Sequence, residues 1–150
     1  MFSVRMIEIP PCKVVASVVG FFGEPEFDKF DAWMTETAAN LPQVEVYPRD
    51  YLTCVDGKFQ WLFLYQDGMN TDGFEVLDFP GGLYAVVTGI DGADNSEEMA
   101  AVDAYAAAHH MEVDPTRRSL GNMLTVSEEA KAAMGYEQMD YYVPLRVKKS

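Results

Sequence analysis

Hydrophobic and polar positions change period several times along this chain. Ser3-Val4-Arg5-Met6-Ile7-Glu8-Ile9 alternates and predicts a half-buried strand. Pro10-Pro11 then imposes an extended turn, because each proline fixes its own φ and restricts its predecessor. Val14-Val15-Ala16-Ser17-Val18-Val19 is β-branched and mostly apolar, the pattern of a well-buried strand. The period then lengthens. Phe27, Phe30, Trp33 and Met34 fall on one helical face, opened by Gly23-Glu24-Pro25-Glu26 and ended at Asn40 and Pro42. Two apolar runs, 51–55 and 58–65, flank Asp56-Gly57, a dipeptide suited to a type I′ hairpin because both central residues need positive φ.

The second half repeats this order. Residues 74–79 predict a strand, Pro80-Gly81-Gly82 a hairpin turn, and 83–88 another strand. Asp94-Asn95-Ser96-Glu97 offers helix caps ahead of Met99, Val102 and Tyr105, the expected apolar face. Residues 120–124 read as extended, Ser127-Glu128-Glu129 caps a short helix that stops at Gly135, and 139–145 form the last strand. Ile9-Pro10 followed by Val18-Val19-Gly20 parallels Phe79-Pro80 followed by Val86-Val87-Thr88-Gly89. The expectation is an α+β fold of tandem pseudo-symmetric strand–helix–strand–strand modules with antiparallel sheets. The modules span approximately 1–70 and 71–150 of a single domain, with a central ligand cleft between them.

Composition narrows the function. A chain of 150 residues, 49% hydrophobic and 23% charged, folds without a disulfide or metal staple. Nine Phe, eight Tyr, two Trp and nine Met are what a core plus an apolar ligand cavity would use. The net charge of −13 repels a phosphate backbone, and the Lys and Arg residues form no stripe, so no direct nucleic-acid binding is expected. That field draws in cations instead. The basic tail Arg146-Val147-Lys148-Lys149 reads as a frayed, solubilising terminus. Cys12 and Cys54 are too few for a disulfide scaffold or a zinc site, and adjacent His109 and His110, near a helix C-terminus, cannot share a metal. Neither a metal nor a cofactor is expected. No nucleophilic triad and no phosphate-cradling glycine motif is present. With no signal-peptide pattern and no run approaching ~20 apolar residues, a cytoplasmic location and no membrane partner are expected.

Three segments carry a family resemblance. Asp72-Gly73-Phe74-Glu75-Val76-Leu77-Asp78-Phe79-Pro80-Gly81-Gly82-Leu83-Tyr84-Ala85-Val86-Val87, the opening Ile7 to Ala16 stretch, and the closing Met139-Asp140-Tyr141-Tyr142-Val143-Pro144-Leu145 resemble the GyrI-like small-molecule-binding family. That family is also the effector-binding module of AraC-type and multidrug-responsive transcription regulators. The opening stretch looks like its first hairpin, and the closing one like its terminal acid–x–Tyr–x–Pro strand. The resemblance implies paired modules with an aromatic, acid-bearing cleft. Because the first residues already read as a strand, it implies the stand-alone form without a helix-turn-helix reader. The family usually has Glu where this chain has Asp140, which shortens the acid's reach.

Asp140 shares a strand face with Tyr142. Two readings stand: a cation partner or general base with a raised pKa, and an edge-strand acid facing water. Trp33, Trp61, Phe63, Tyr65, Tyr84, Tyr105 and Tyr142 are each candidates for core packing and, as a set, for the wall of a box that stacks on planar or cationic ligands. Phe21-Phe22-Gly23 reads equally as a cleft lip or ordinary packing. The expected function is binding of small amphipathic or aromatic organic molecules, cationic ones among the candidates, as a sensor or sequestering protein. The resemblance also implies two alternatives. One is a hydrolase of reactive cyclopropane-bearing compounds, with Asp140 as base and Tyr142 or Tyr105 as donor. The other is a gyrase-inhibitor type of interaction module with a protein partner.

Overall fold

The computed structural model describes residues 2–41, 50–125 and 127–149; Pro42, the expected end marker of the first helix, lies outside them. The fold is α+β. In chain order the elements are β1 (Val4–Ile9), β2 (Cys12–Ala16), α1 (Pro25–Asn40), β3 (Asp50–Val55), β4 (Lys58–Leu64), β5 (Glu75–Phe79), β6 (Gly82–Ile90), α2 (Ser96–Ala108), β7 (Met111–Val113), β8 (Leu120–Met123), α3 (Glu128–Met134) and β9 (Gln138–Val147). They gather into two compact units, a first made of Pro11–Pro80 and a second made of Met1–Pro10 with Gly81–Ser150.

Each unit is an antiparallel ladder with a helix on one face. In the first the strands run β3-β4-β2-β5, fixed by the pairs Tyr51↔Leu62, Ala16↔Leu62 and Ala16↔Glu75. In the second they run β8-β9-β6-β1, fixed by Leu120↔Tyr142, Val86↔Tyr142 and Arg5↔Val86. With β7 set aside, the two ladders therefore have the same order: third strand of the half-sequence, fourth, second, then an edge strand added from the other half. β7 extends the second by pairing with the end of β9, Met111↔Val147 to Val113↔Leu145.

The added edge strands are where the hairpin readings fail. Pro10-Pro11 and Pro80-Gly81 are not hairpin turns. β1 runs into β2 along the chain but pairs with β6, and β5 runs into β6 but pairs with β2. The prolines lack the N–H groups that a tight two-strand turn would use, so the chain passes from one unit to the other there. Gly81 makes that passage possible. Its φ is +69°, and a Cβ at this position would collide with the Ile9 carbonyl oxygen. The unit boundaries are thus offset from residues 70 and 71, with one edge strand of each unit supplied from the other half of the sequence.

Local chemistry explains most elements. Asp56 and Gly57 have φ of 51° and 78°, the double positive φ of the expected hairpin between β3 and β4. α1 begins with Pro25 in its first turn and buries Phe27, Phe30, Trp33 and Met34, the predicted stripe. Ser127 caps α3 by accepting the Ala130 N–H at 3.1 Å. β2 stops at Ala16 instead of continuing through Val19, and Val18 is 48% exposed. Here Ser17 diverts the ladder: its Oγ accepts the Trp61 N–H and its carbonyl accepts the Gln60 Nε2 donor. The terminal residues are also better anchored than their charge suggested. β9 continues to Val147, and Arg146 pairs with Glu112 at 2.8 Å.

The helix-side cores differ. In the first unit α1 packs Phe30, Trp33 and Met34 on Val15 and Phe63. In the second α2 packs Val102 and Ala106 on Ala85, Val87 and Leu145. α2 buries Glu98, Val102 and Ala106, whereas Tyr105, expected on its apolar face, is half-buried on the flank. Among the described residues no helix is long and apolar enough to cross a membrane.

Candidate ligand-binding site

Strand alternation in the second unit sorts its side chains onto two faces. Ala85, Val87 and Leu145 turn towards α2. The opposite face carries Tyr84, Val86 and Thr88 from β6, Asp140, Tyr142 and Pro144 from β9, Leu120 and Asn122 from β8, and Arg5 from β1, as the register pairs require. Most of this face is buried, with Tyr84, Val86, Leu120 and Tyr142 as its apolar floor.

Into that floor is set a polar row. Asp140 lies in a central strand of its ladder, directly between Thr88 and Asn122, and is 3% exposed. It is therefore not an edge acid facing water. One carboxylate oxygen accepts the Thr88 hydroxyl at 2.6 Å, and the other accepts an Arg5 Nη donor at 3.2 Å. A buried carboxylate without such partners would carry a desolvation penalty of several kcal/mol. Arg5 neutralises it from outside, for its own side chain is 57% exposed.

Asn122 completes the row. It is 3% exposed, and its Oδ1 has no hydrogen-bond partner. Leaving a buried acceptor open costs about 1–3 kcal/mol, so natural folds rarely do so without a reason. Two other buried side-chain atoms among the described residues share this state, Trp61 Nε1 and Glu98 Oε2. Glu98 projects from α2 into the aliphatic layer. There Tyr141 has its phenol pKa raised by burial, and further by the charges of Asp91 and Glu98. Asn122 differs from both in standing beside a buried carboxylate whose cation lies in solvent. Neither it, Arg5 nor Thr88 has a sequence signature: an isolated Asn in a four-residue strand and a polar position in an alternating strand are both ordinary.

No family model matches this sequence, and no curated protein matches it. Solved structures do share its fold. A hydrolase from Listeria innocua aligns over 96% of this chain and 92% of its own, with a TM-score of 0.66 and 11% identity. The C-terminal domain of EcmrR aligns over 98% and 99%, with a TM-score of 0.62 and 10% identity. SAV2435, solved bound to tetraphenylphosphonium, aligns over 96% and 94%, with a TM-score of 0.54 and 10% identity. At such identities the likeness is one of fold alone.

The predicted site residues divide evenly between the units. Trp33, Trp61, Phe63 and Tyr65 belong to the first, and Tyr84, Tyr105, Asp140 and Tyr142 to the second. Trp33 and Phe63 are core residues 5.4 Å apart edge to face, with the Trp33 indole donating to the Asn70 carbonyl at 3.2 Å. Trp61 and Tyr65 are partly buried against the same cluster. Trp61 also meets the exposed Phe22 ring edge-on at 5.9 Å, so the Phe21-Phe22 segment forms an apolar rim in the first unit. Tyr105 stacks on His109 at 4.2 Å, beyond the sheet. Tyr84 sits under the Arg117 guanidinium at 5.1 Å and donates to the Arg118 carbonyl. Asp140, Tyr142 and Tyr84 thus share one sheet face, and Tyr105 does not join them. Among the described residues no group of three or more His, Cys, Asp or Glu side chains could hold a metal ion.

Proposed function

We propose that this chain binds small, largely apolar organic molecules carrying a polar head group, at the sheet face of the second unit that holds Asp140, Asn122, Tyr142 and Tyr84, and that it acts as a sensor or sequestering protein. The observation that carries this reading is the open acceptor of buried Asn122 beside a buried carboxylate on an aromatic floor. Such a site supplies hydrophobic contact together with a small number of fixed polar groups, the usual make-up of a ligand pocket. The net charge of −13 favours cationic over anionic ligands. The fold shared with the EcmrR C-terminal domain and with tetraphenylphosphonium-bound SAV2435 supports the same reading.

Binding is favoured over hydrolysis by the state of Asp140. Its two oxygens meet Thr88 and Arg5, groups that orient it and balance its charge, and Tyr105, one of the two expected proton donors, does not join it on this face. The test is a thermal-shift screen with aromatic amines, aromatic alcohols and tetraphenylphosphonium, repeated on Asn122→Leu. A ligand at a hundred times its dissociation constant adds about 2.7 kcal/mol of stability to the wild type. The expected result is a clear shift for at least one class that Asn122→Leu diminishes. Absence of any shift across the panel overturns the proposal.

A further inference from the structure

Arg5 and Arg117 are both ion-paired arginines of the second unit, and their surroundings are opposite. Arg117 is 15% exposed; its guanidinium donates to Asp114 and to the carbonyls of Gly81, Leu83 and Leu145. Arg5 is mostly in solvent and reaches Asp140 through a single Nη at 3.2 Å, one end-on contact instead of a bidentate fork. Ion pairs with one solvated partner contribute little and exchange readily. Asp140 is also held by the Thr88 hydroxyl, which donates to its other carboxylate oxygen. Directly across the ladder stands Asn122 with its unpartnered acceptor, on the same face and at the register position where cross-strand Cβ atoms lie ~4.5–5.5 Å apart.

Resting on the binding reading above, we propose that Arg5 is an internal placeholder on Asp140, displaced by ligands whose protonated amine bridges Asp140 and Asn122, and that it therefore sets selectivity for N–H-bearing cations over quaternary ones. Asp140 supplies one acceptor once Arg5 swings out, and Asn122 supplies the second. A primary or secondary ammonium has the two N–H groups needed to fill both. A quaternary ammonium or phosphonium ion matches the charge but has no donor for Asn122, so it leaves that acceptor buried and open. A neutral alcohol satisfies Asn122 without removing Arg5. The ranking follows: protonated amine first, with alcohol and quaternary ion behind it.

The experiment uses naphthylmethylamine, its N-trimethylated quaternary counterpart and naphthylmethanol, titrated calorimetrically at neutral pH against the full chain. The variants are Arg5→Met, Asn122→Leu, Asp140→Asn and the double variant Arg5→Met with Asp140→Asn. The wild type is expected to bind the amine about tenfold more tightly than the quaternary ion, a difference of 1.4 kcal/mol. Arg5→Met removes the competitor, so amine affinity should rise several-fold while affinity for the alcohol is unchanged. Asn122→Leu should erase the preference for amine over quaternary ion. In the Asp140→Asn background, Arg5→Met should have no effect on the amine, which guards against a change in folding mimicking the result. If the compounds bind but Arg5→Met lowers amine affinity, or the quaternary ion binds as well as the amine, the placeholder role is overturned and the binding reading survives. If none of the three compounds binds any variant, both fail.

Discussion

The two units set opposite polar groups into one ladder. Leu62 in the first and Tyr142 in the second occupy the same place, flanked by Tyr51 and Ala16 or by Leu120 and Val86. The next position on that face holds Gln60 in one unit and Asp140 in the other, opposed by Thr53 and Asn122. On the added edge strand, Glu75 corresponds to Arg5. Gln60 is neutral and buried, and it donates to the Ser17 carbonyl at 3.0 Å, fastening the end of β2. Asp140 is charged and buried, and one of its partners is a solvated arginine. Buried polarity is thus common to both units and does not by itself mark a site. What distinguishes the second unit is a charge balanced from outside, next to an acceptor that nothing fills.

The helix layers extend the contrast and provide its largest test. α1 and its sheet form an aromatic stack, with Phe30 5.2 Å from Trp33 and 4.8 Å from Phe74. The corresponding layer under α2 is aliphatic, built on Val102 and Ala106. Phe30→Ala should destabilise the protein by about 3–5 kcal/mol, since Phe30 is fully buried and a rigid aromatic neighbourhood collapses poorly into the cavity. Val102→Ala deletes only two methyl groups, at roughly 0.8 kcal/mol each plus a small cavity, and should cost about 2 kcal/mol. Urea denaturation measures both. Equal costs would break the comparison by showing that the aromatic layer contributes no more than the aliphatic one.

The contrast also explains what could be read from the sequence. The Phe27–Met34 stripe, the Asp56-Gly57 turn and the Ser127 cap were legible because each is a local signal with one physical outcome. The fate of β1 and β5 was not. A Pro-Pro or Pro-Gly-Gly corner between two strands fits a hairpin and a passage between units equally well, and only long-range pairing decides. Glu98 was hidden because a charged residue does not mark an apolar face, although it shares the Val102 side of α2 with Ala106. Within the proposed site, Asp140 and Tyr142 were placed on one face by strand alternation, as the register bears out. Arg5, Thr88 and Asn122 come from three other strands and are joined to Asp140 only by register.

A second test, of intermediate size, concerns the locked arginine. Arg117→Met removes the donor to the Gly81, Leu83 and Leu145 carbonyls and unpairs Asp114, and should cost about 3 kcal/mol. The same cluster predicts acid sensitivity. The Thr116 hydroxyl, Arg117 and the Thr116 N–H hold the Asp114 carboxyl well below its ordinary value of 3.8. A depressed carboxyl stabilises the fold at pH values above 3.8, and that contribution is lost as pH falls below it towards the depressed value. Asp114→Asn should therefore be less stable than wild type at neutral pH and show a shallower loss of stability on acidification. Parallel acid limbs in the two proteins would remove Asp114 from the account.

The smallest effect isolates the exposed cation. Glu75 and Arg5 hold equivalent edge positions, both exposed, and only Arg5 faces a buried carboxylate. Glu75→Met should leave stability within about 0.5 kcal/mol, as ordinary surface substitutions do. Arg5→Met should cost about 1 kcal/mol, near the upper end for pairs with a solvated partner, because Asp140 then retains only the Thr88 hydroxyl. Most of that loss should vanish in the Asp140→Asn background, where no charge remains to be balanced, and the double-mutant cycle reports the coupling directly. It should also shrink in high salt, where mobile cations screen Asp140 in place of Arg5. A coupling of several kcal/mol would mean that Arg5 is as firmly fixed as Arg117, and a group held that firmly could not yield its place to a ligand. A coupling near zero would mean that Asp140 is balanced by something other than Arg5. Either value would remove the distinction between a polar row that fastens a strand and one proposed to take a ligand.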